Sequence, residues 1–153
     1  MQKLHGDVNA SRTWILSCWY KENNKRISGL REWGTWDGDI EIVSPEMPSH
    51  IHRYKNLPTS ILWREWKMAE EEGCNFIEDV ENYEGPLDVV IHASRFAKSY
   101  YASGLYYEKK VIGVVGCDWI KPNAFNYTDC LIIEKAARDI NEFIKFGDCF
   151  NGK

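Results

Sequence analysis

Four histidines, scattered carboxylates and a large supply of aromatic rings are the chemically equipped residues of this chain. Glu46 shares a proline-punctuated segment with His50 and His52, while His92 follows a Val/Ile run with Ser94 and Arg95 just behind it. A carboxylate near imidazoles can do nucleophilic or general acid–base work, which makes Glu46 and His92 the candidate catalytic pair. Arg95, with the backbone amides near Ser94 at the start of a predicted helix, can take an anion. Trp19, Tyr20 and Trp119 can stack on a ring, and His50, Ser99 and Asp118 add polar contacts. Plainer readings stand beside these: His92 as a half-buried strand-end histidine, Glu46 as an exposed turn residue beside Pro45, and Arg95 as a surface group. His50-x-His52 offers two imidazoles with no evident third ligand, so no metal is expected, and no cofactor is implied.

The elements that must position these residues are read from hydrophobic pattern. Val89 to Ile91 and Val111 to Val115 are short β-branched runs separated by enough chain for three or four helical turns. This reads as strand, crossover helix, strand, with the helix running from about Arg95 to Lys109 and Ser99 in its first turns. Thr13 to Trp19 and Ile40 to Val43 supply two more strands, with a short helix predicted over Arg26 to Trp33. A helix begins at Leu57-Pro58-Thr59, repeats Leu62, Trp66 and Ala69, and closes at Gly73. The last helix, Leu131 to Phe146, carries the apolar stripe Ile133, Ala136, Ala137, Ile140, Phe143 and Ile144, with Thr128 or Asp129 in front and Gly147 behind. Residues 1–10 read as a loose polar lead-in to one domain spanning 1–153. The expected architecture is α/β, a doubly wound parallel sheet of flavodoxin-like order. In such a sheet ligands sit beyond the carboxyl ends of the strands, where Cys18, Trp19, Tyr20, Glu46, His50, His52, His92, Ser94, Arg95, Gly116, Asp118 and Trp119 would gather. That mix suits a polar, ring-containing ligand.

At 153 residues, 44% hydrophobic and 27% charged, the chain can bury a substantial core. A formal net charge of −4 gives no global attraction to nucleic acid, so duplex binding is not expected. The five cysteines are widely spaced and form no C-x-x-C pair, which excludes a zinc or disulfide framework and points to a soluble, cytoplasmic setting. Cys18 and Cys117, near strand ends, read as nucleophiles or, more simply, as buried small hydrophobes. No apolar run approaches membrane-spanning length. Neither G-x-x-x-x-G-K-[ST] nor G-x-G-x-x-G is present, and Tyr-Lys-Glu-Asn-Asn after the first strand matches neither a flavin phosphate loop nor a magnesium-binding acidic site.

The run Asp88-Val-Val-Ile, the small-residue segment Ala102-Ser-Gly-Leu-Tyr-Tyr and Lys109-Lys-Val-Ile-Gly-Val together resemble the nucleoside 2-deoxyribosyltransferase superfamily, including its nucleotide N-glycosidase members. The resemblance covers residues 57–116 and implies a three-layer sandwich that cleaves or transfers an N-glycosidic bond. That family carries a nucleophilic Glu early in the crossover helix, where this chain has Lys98-Ser99-Tyr100-Tyr101. Glu46 would have to stand in, with His50 or His92 moving the proton. Three functions are therefore expected to compete: N-glycosidic cleavage or deoxyribosyl transfer, silent binding of a nucleotide or sugar phosphate on the same fold, and a protein–protein interaction module. The expected partner is a nucleoside or nucleotide, with no membrane, and a homo-oligomer is compatible with this reading.

Overall fold

A computed structural model describes residues 2–21, 24–34, 57–58, 63–85 and 97–146. In chain order the elements are α1 (Gln2–Asp7), β1 (Arg12–Lys21), β2 (Asn24–Gly34), β3 (Leu57–Pro58), α2 (Trp63–Glu71), β4 (Cys74–Ile77), β5 (Ser99–Tyr107), β6 (Lys110–Trp119) and α3 (Tyr127–Phe146). The strands form one sheet in the order β3-β2-β1-β6-β5-β4, and every pairing among the described strands is antiparallel.

This overturns the doubly wound, flavodoxin-like parallel sheet and its deoxyribosyltransferase-like sandwich. Two of the four expected strands exist, as β1 and β6, but they run antiparallel, from Arg12 opposite Asp118 to Ser17 opposite Gly113. The other two, 40–43 and 88–92, lie outside the described residues. The expected crossover helix is strand β5 over Ser99–Tyr107, and the short helix expected over 26–33 is strand β2. The reason in β5 is local. Tyr100, Tyr101, Tyr106 and Tyr107 have strong strand preference, and the strand is buried on both faces from Ser99 to Leu105, so no period-two alternation marks it. It joins β6 through Glu108 and Lys109, both left-handed at φ 48° and 65°, with Tyr107 paired to Lys110. Two consecutive positive φ values make a two-residue turn whose twist suits a hairpin.

Residues opposite one another in this sheet share a face. On the first face lie the rows Phe76–Tyr101–Cys117–Thr13 and Cys74–Ser103–Val115–Ile15. Tyr101, Leu105, Val115, Cys117 and Trp119 pack there against Leu4, Val8 and Ala10 from the α1 segment and Ile133 and Ala137 of α3. The opening residues are thus not a loose lead-in: Leu4, Val8 and Ala10 are buried, and Asn9, left-handed at φ 47°, turns the chain from α1 into β1. Helix α3 keeps its expected stripe, with Ile133, Ala137 and Ile144 buried and Ile140 partly so, while Phe143 is exposed. Its first turn is capped by Asn126, which accepts from the amides of Thr128 and Asp129, while Asp129 accepts from the amide of Asn126. Gly73, at φ 82°, ends α2 as expected, although that helix starts at Trp63 and Leu57–Pro58 pairs with Arg26 and Ile27 instead. No helix among the described residues is long and apolar enough to cross a membrane.

Candidate functional site

The second face of the sheet is built differently. Its rows are Ile77–Tyr100–Asp118–Arg12 and Asn75–Ala102–Gly116–Trp14, with Gly104 opposite Val114 beside them. Small residues thus occupy the centre, and polar groups stand around it. Gly116 leaves a notch that the Trp14 indole fills: a Cβ built there would collide with the six-membered part of the ring. The ring is held in place by its own N–H, which donates to Asp118 Oδ1 at 2.9 Å. Asp118, itself 5% exposed, is held in turn by Arg12, whose Nε donates to Oδ2 at 2.6 Å and whose Nη2 donates to the same oxygen. A buried carboxylate that accepts from three N–H donors braces the Arg12 and Trp14 side chains against one another.

Gly104 repeats the arrangement. The Tyr106 phenol lies over it, and its hydroxyl donates to the carbonyl of Ala69 in α2. Burial, then the Cys74 thiol, raises the Tyr106 phenol above its ordinary range. Asn75, 1% exposed, donates from its side-chain amide to the Tyr100 hydroxyl at 3.0 Å, and Ile77 and Tyr100 pack with Val80 and Tyr83. Two rings lying in glycine notches, each tied by its polar atom, leave Ala102 and Val114 between them. Both are buried, at 2% exposure each, so this is an enclosed small-residue floor whose shape suits a flat organic molecule.

Of the residues expected to form a site, Gly116 and Asp118 lie on this face. Trp119 follows Asp118 in sequence but points to the opposite side, packing on Phe125 at 5.2 Å and donating to Val8 O at 3.3 Å. Ser99, opposite Trp119, is fully buried and spends its hydroxyl on the carbonyl of Lys121 at 2.8 Å. Trp19 and Tyr20 lie in β1, and their side chains are outside the described set. Glu46, His50, His52, His92, Ser94 and Arg95 lie outside the described residues. The expectation overlooked Arg12, Trp14 and Asn75. Their signal is cross-strand: Trp14 opposite Gly116 becomes visible only when β1 and β6 are paired.

Nucleophilic chemistry finds no support in Cys117 or Cys130. Cys117 is fully buried, and burial pushes its thiol up to about 12, against the small opposing effect of Thr13, whose hydroxyl lies 3.4 Å away. Burial, then the Glu134 carboxylate, pushes Cys130 up to about 11. Tyr101 donates to Glu134 at 2.5 Å, and its phenol is raised by burial and then by that carboxylate. Among the described residues no group of three or more His, Cys, Asp or Glu is placed to hold a metal ion.

No family model matches the sequence, and no curated protein does. Solved structures match in fold. A domain of a two-component sensor histidine kinase from Sinorhizobium meliloti superposes with a TM-score of 0.59 at 16% identity, over 95% of this chain and 85% of that one. The cyanobacteriochrome receptor PixJ gives 0.68 at 10% identity, over 94% of this chain and 89% of that one. The chromophore-binding domain of a Stigmatella aurantiaca bacteriophytochrome gives 0.66 at 12% identity over 95% of this chain, which spans about half (52%) of that protein. The shared architecture is a GAF-like antiparallel sheet. It replaces the resemblance to nucleoside 2-deoxyribosyltransferases, whose parallel βαβ unit is here an antiparallel hairpin. N-glycosidic cleavage and deoxyribosyl transfer lose their structural basis with it, and silent nucleotide binding on that fold and a bare interaction module fit no better.

Proposed function

We propose that this chain is a ligand-receiving sensory domain, which takes a small, flat organic molecule on the second face of its sheet. The observation that carries the reading is the braced Trp14–Asp118–Arg12 group beside the small-residue centre, on a fold shared with a sensor-kinase domain and with chromophore-binding domains. The first face is filled by α1 and α3, whereas on the second Gly104, Gly116 and Ala102 form a buried floor without bulky side chains of its own, beside and beneath the Trp14 and Tyr106 rings. Rings already held in their bound orientation lose little freedom when a ligand stacks on them, which favours affinity without new contacts. Asp118 contributes by position, since both of its oxygens already accept from Arg12 and Trp14.

The test is direct. The purified chain is extracted for retained small molecules, then dialysed against riboflavin, a linear tetrapyrrole, haem and a naphthoquinone. Retention of one flat conjugated molecule at one per chain is expected, with Trp14→Ala weakening it by about 0.5 to 1.5 kcal/mol, the scale of a ring-on-ring contact. No retained molecule and no binding by any of the four would overturn the proposal.

A further inference from the structure

The geometry points to a mechanical link by which the state of the second face is read out as the docking of α1 on the first. Hydrogen bonds from the α1 segment and Ser11 reach the sheet on, or within two residues of, the Arg12–Trp14–Asp118 brace. His5 Nδ1 meets Thr13 Oγ1 at 3.2 Å, and Thr13 lies between Arg12 and Trp14 in β1. Val8 O accepts from the Trp119 indole at 3.3 Å, and Trp119 follows Asp118 in β6. Ser11 N donates to the carbonyl of Asp118 itself at 2.9 Å, and Ser11 Oγ accepts from Ile120 N at 3.1 Å. Thr13 also reaches Cys117, the residue before Asp118, from the opposite strand.

Alternation in a strand turns this adjacency into a lever. Arg12, Trp14 and Asp118 point to the second face, and Thr13, Cys117 and Trp119 point to α1, so one short stretch of two paired strands carries both sets. A ligand that shifts the Trp14 indole must move Asp118 or break its bond, and a change in the twist of β1 against β6 then moves Thr13 and Trp119 beneath α1. Helix α1, with six residues, cannot hold itself together without this docking. Tyr106 supplies an internal control. It lies in a notch of the same face, but its hydroxyl is tied to Ala69 of α2, away from the α1 contacts.

The link builds on the ligand reading, but its test needs no ligand. Hydrogen exchange is followed in the full chain for wild type, Trp14→Phe and Tyr106→Phe, reading the amides of Val8 and Ala10, which bond to Leu4 O and His5 O. Trp14→Phe is expected to speed exchange at these two amides by about tenfold while leaving the centre of α3 protected, the mark of local opening. Tyr106→Phe is expected to leave them within about twofold and to loosen the end of α2 instead. If Trp14→Phe loses protection everywhere at once, Asp118→Asn decides, since it weakens the hold of Arg12 while keeping an acceptor for the indole. Equal α1 exchange in the Trp14 and Tyr106 variants, or unchanged α1 exchange in both Trp14→Phe and Asp118→Asn, would overturn the link whether or not a ligand is ever found.

Discussion

The face of the sheet that meets α1 and α3 is a mainly apolar core closed by helices, with a few buried polar groups such as Thr13 and Ser103 within it, whereas the opposite face is small residues ringed by tied polar groups. Ile133 and Val115 on the first are fully buried with no polar atom to satisfy. Arg12, Asp118, Trp14, Asn75 and Tyr100 on the second carry polar atoms that need partners and find them. Stability is drawn mainly from burial of apolar surface, and shape-specific recognition from fixed polar and aromatic groups. The contrast therefore separates the part of the molecule that makes it fold from the part proposed to bind.

Mutations on the two faces should differ in kind as well as in size. On the first, Ile133→Ala should cost about 2 to 5 kcal/mol in denaturant unfolding, because α3 leaves a cavity that cannot collapse. Asp118→Ala on the second removes a carboxylate from three N–H donors and should cost about 1.5 to 3 kcal/mol, with most of that loss recovered in the Arg12→Met/Asp118→Leu double variant. A loss in the double variant equal to that of the single one would mean that the pair supports the fold rather than holding Trp14. Gly116→Ala should cost about 1 to 3 kcal/mol by lifting the indole from its notch, with a visible change in near-ultraviolet circular dichroism.

A smaller effect belongs to pH. Burial lowers the His5 pKa below its ordinary value of 6.5. The unfolded chain therefore takes up a proton before the folded one does as pH falls. Stability should be flat above about 6.5 and decline below it, until the pH passes the lowered folded value. A melting-temperature series from pH 8 to 5 on wild type and His5→Gln checks this, and parallel curves would contradict it.

How much of this was legible in the sequence varies with how each element announces itself. Helix α3 was plain because Ile133, Ala137, Ile140 and Ile144 repeat at helical spacing on a long segment. Strands β1 and β6 were plain as apolar runs, but nothing in such a run says which direction its neighbour takes. The hairpin that settles direction turns on Glu108-Lys109, a pair lacking the Gly or Asn that usually signals positive φ, so β5 was taken for a helix. A helix at that position makes an antiparallel pair look like a βαβ unit and moves the expected site to the strand ends. Of the residues gathered there, Gly116 and Asp118 lie on the braced face, while Trp14 is singled out only once its pairing with Gly116 is known.

The claim that the second face receives the ligand is tested most directly by methyl resonances on the two sides of one sheet. Ala102 and Val114 report the second face, and Val115 and Ala137 the first. The chain is titrated with whichever of riboflavin, the tetrapyrrole, haem or the naphthoquinone it retains, and the four methyl environments are followed by carbon–proton correlation spectra. The account predicts large ring-current shifts at Ala102 and Val114, with Val115 and Ala137 nearly still. Shifts concentrated at Val115 and Ala137, or confined to neither pair while the ligand is bound, would contradict it.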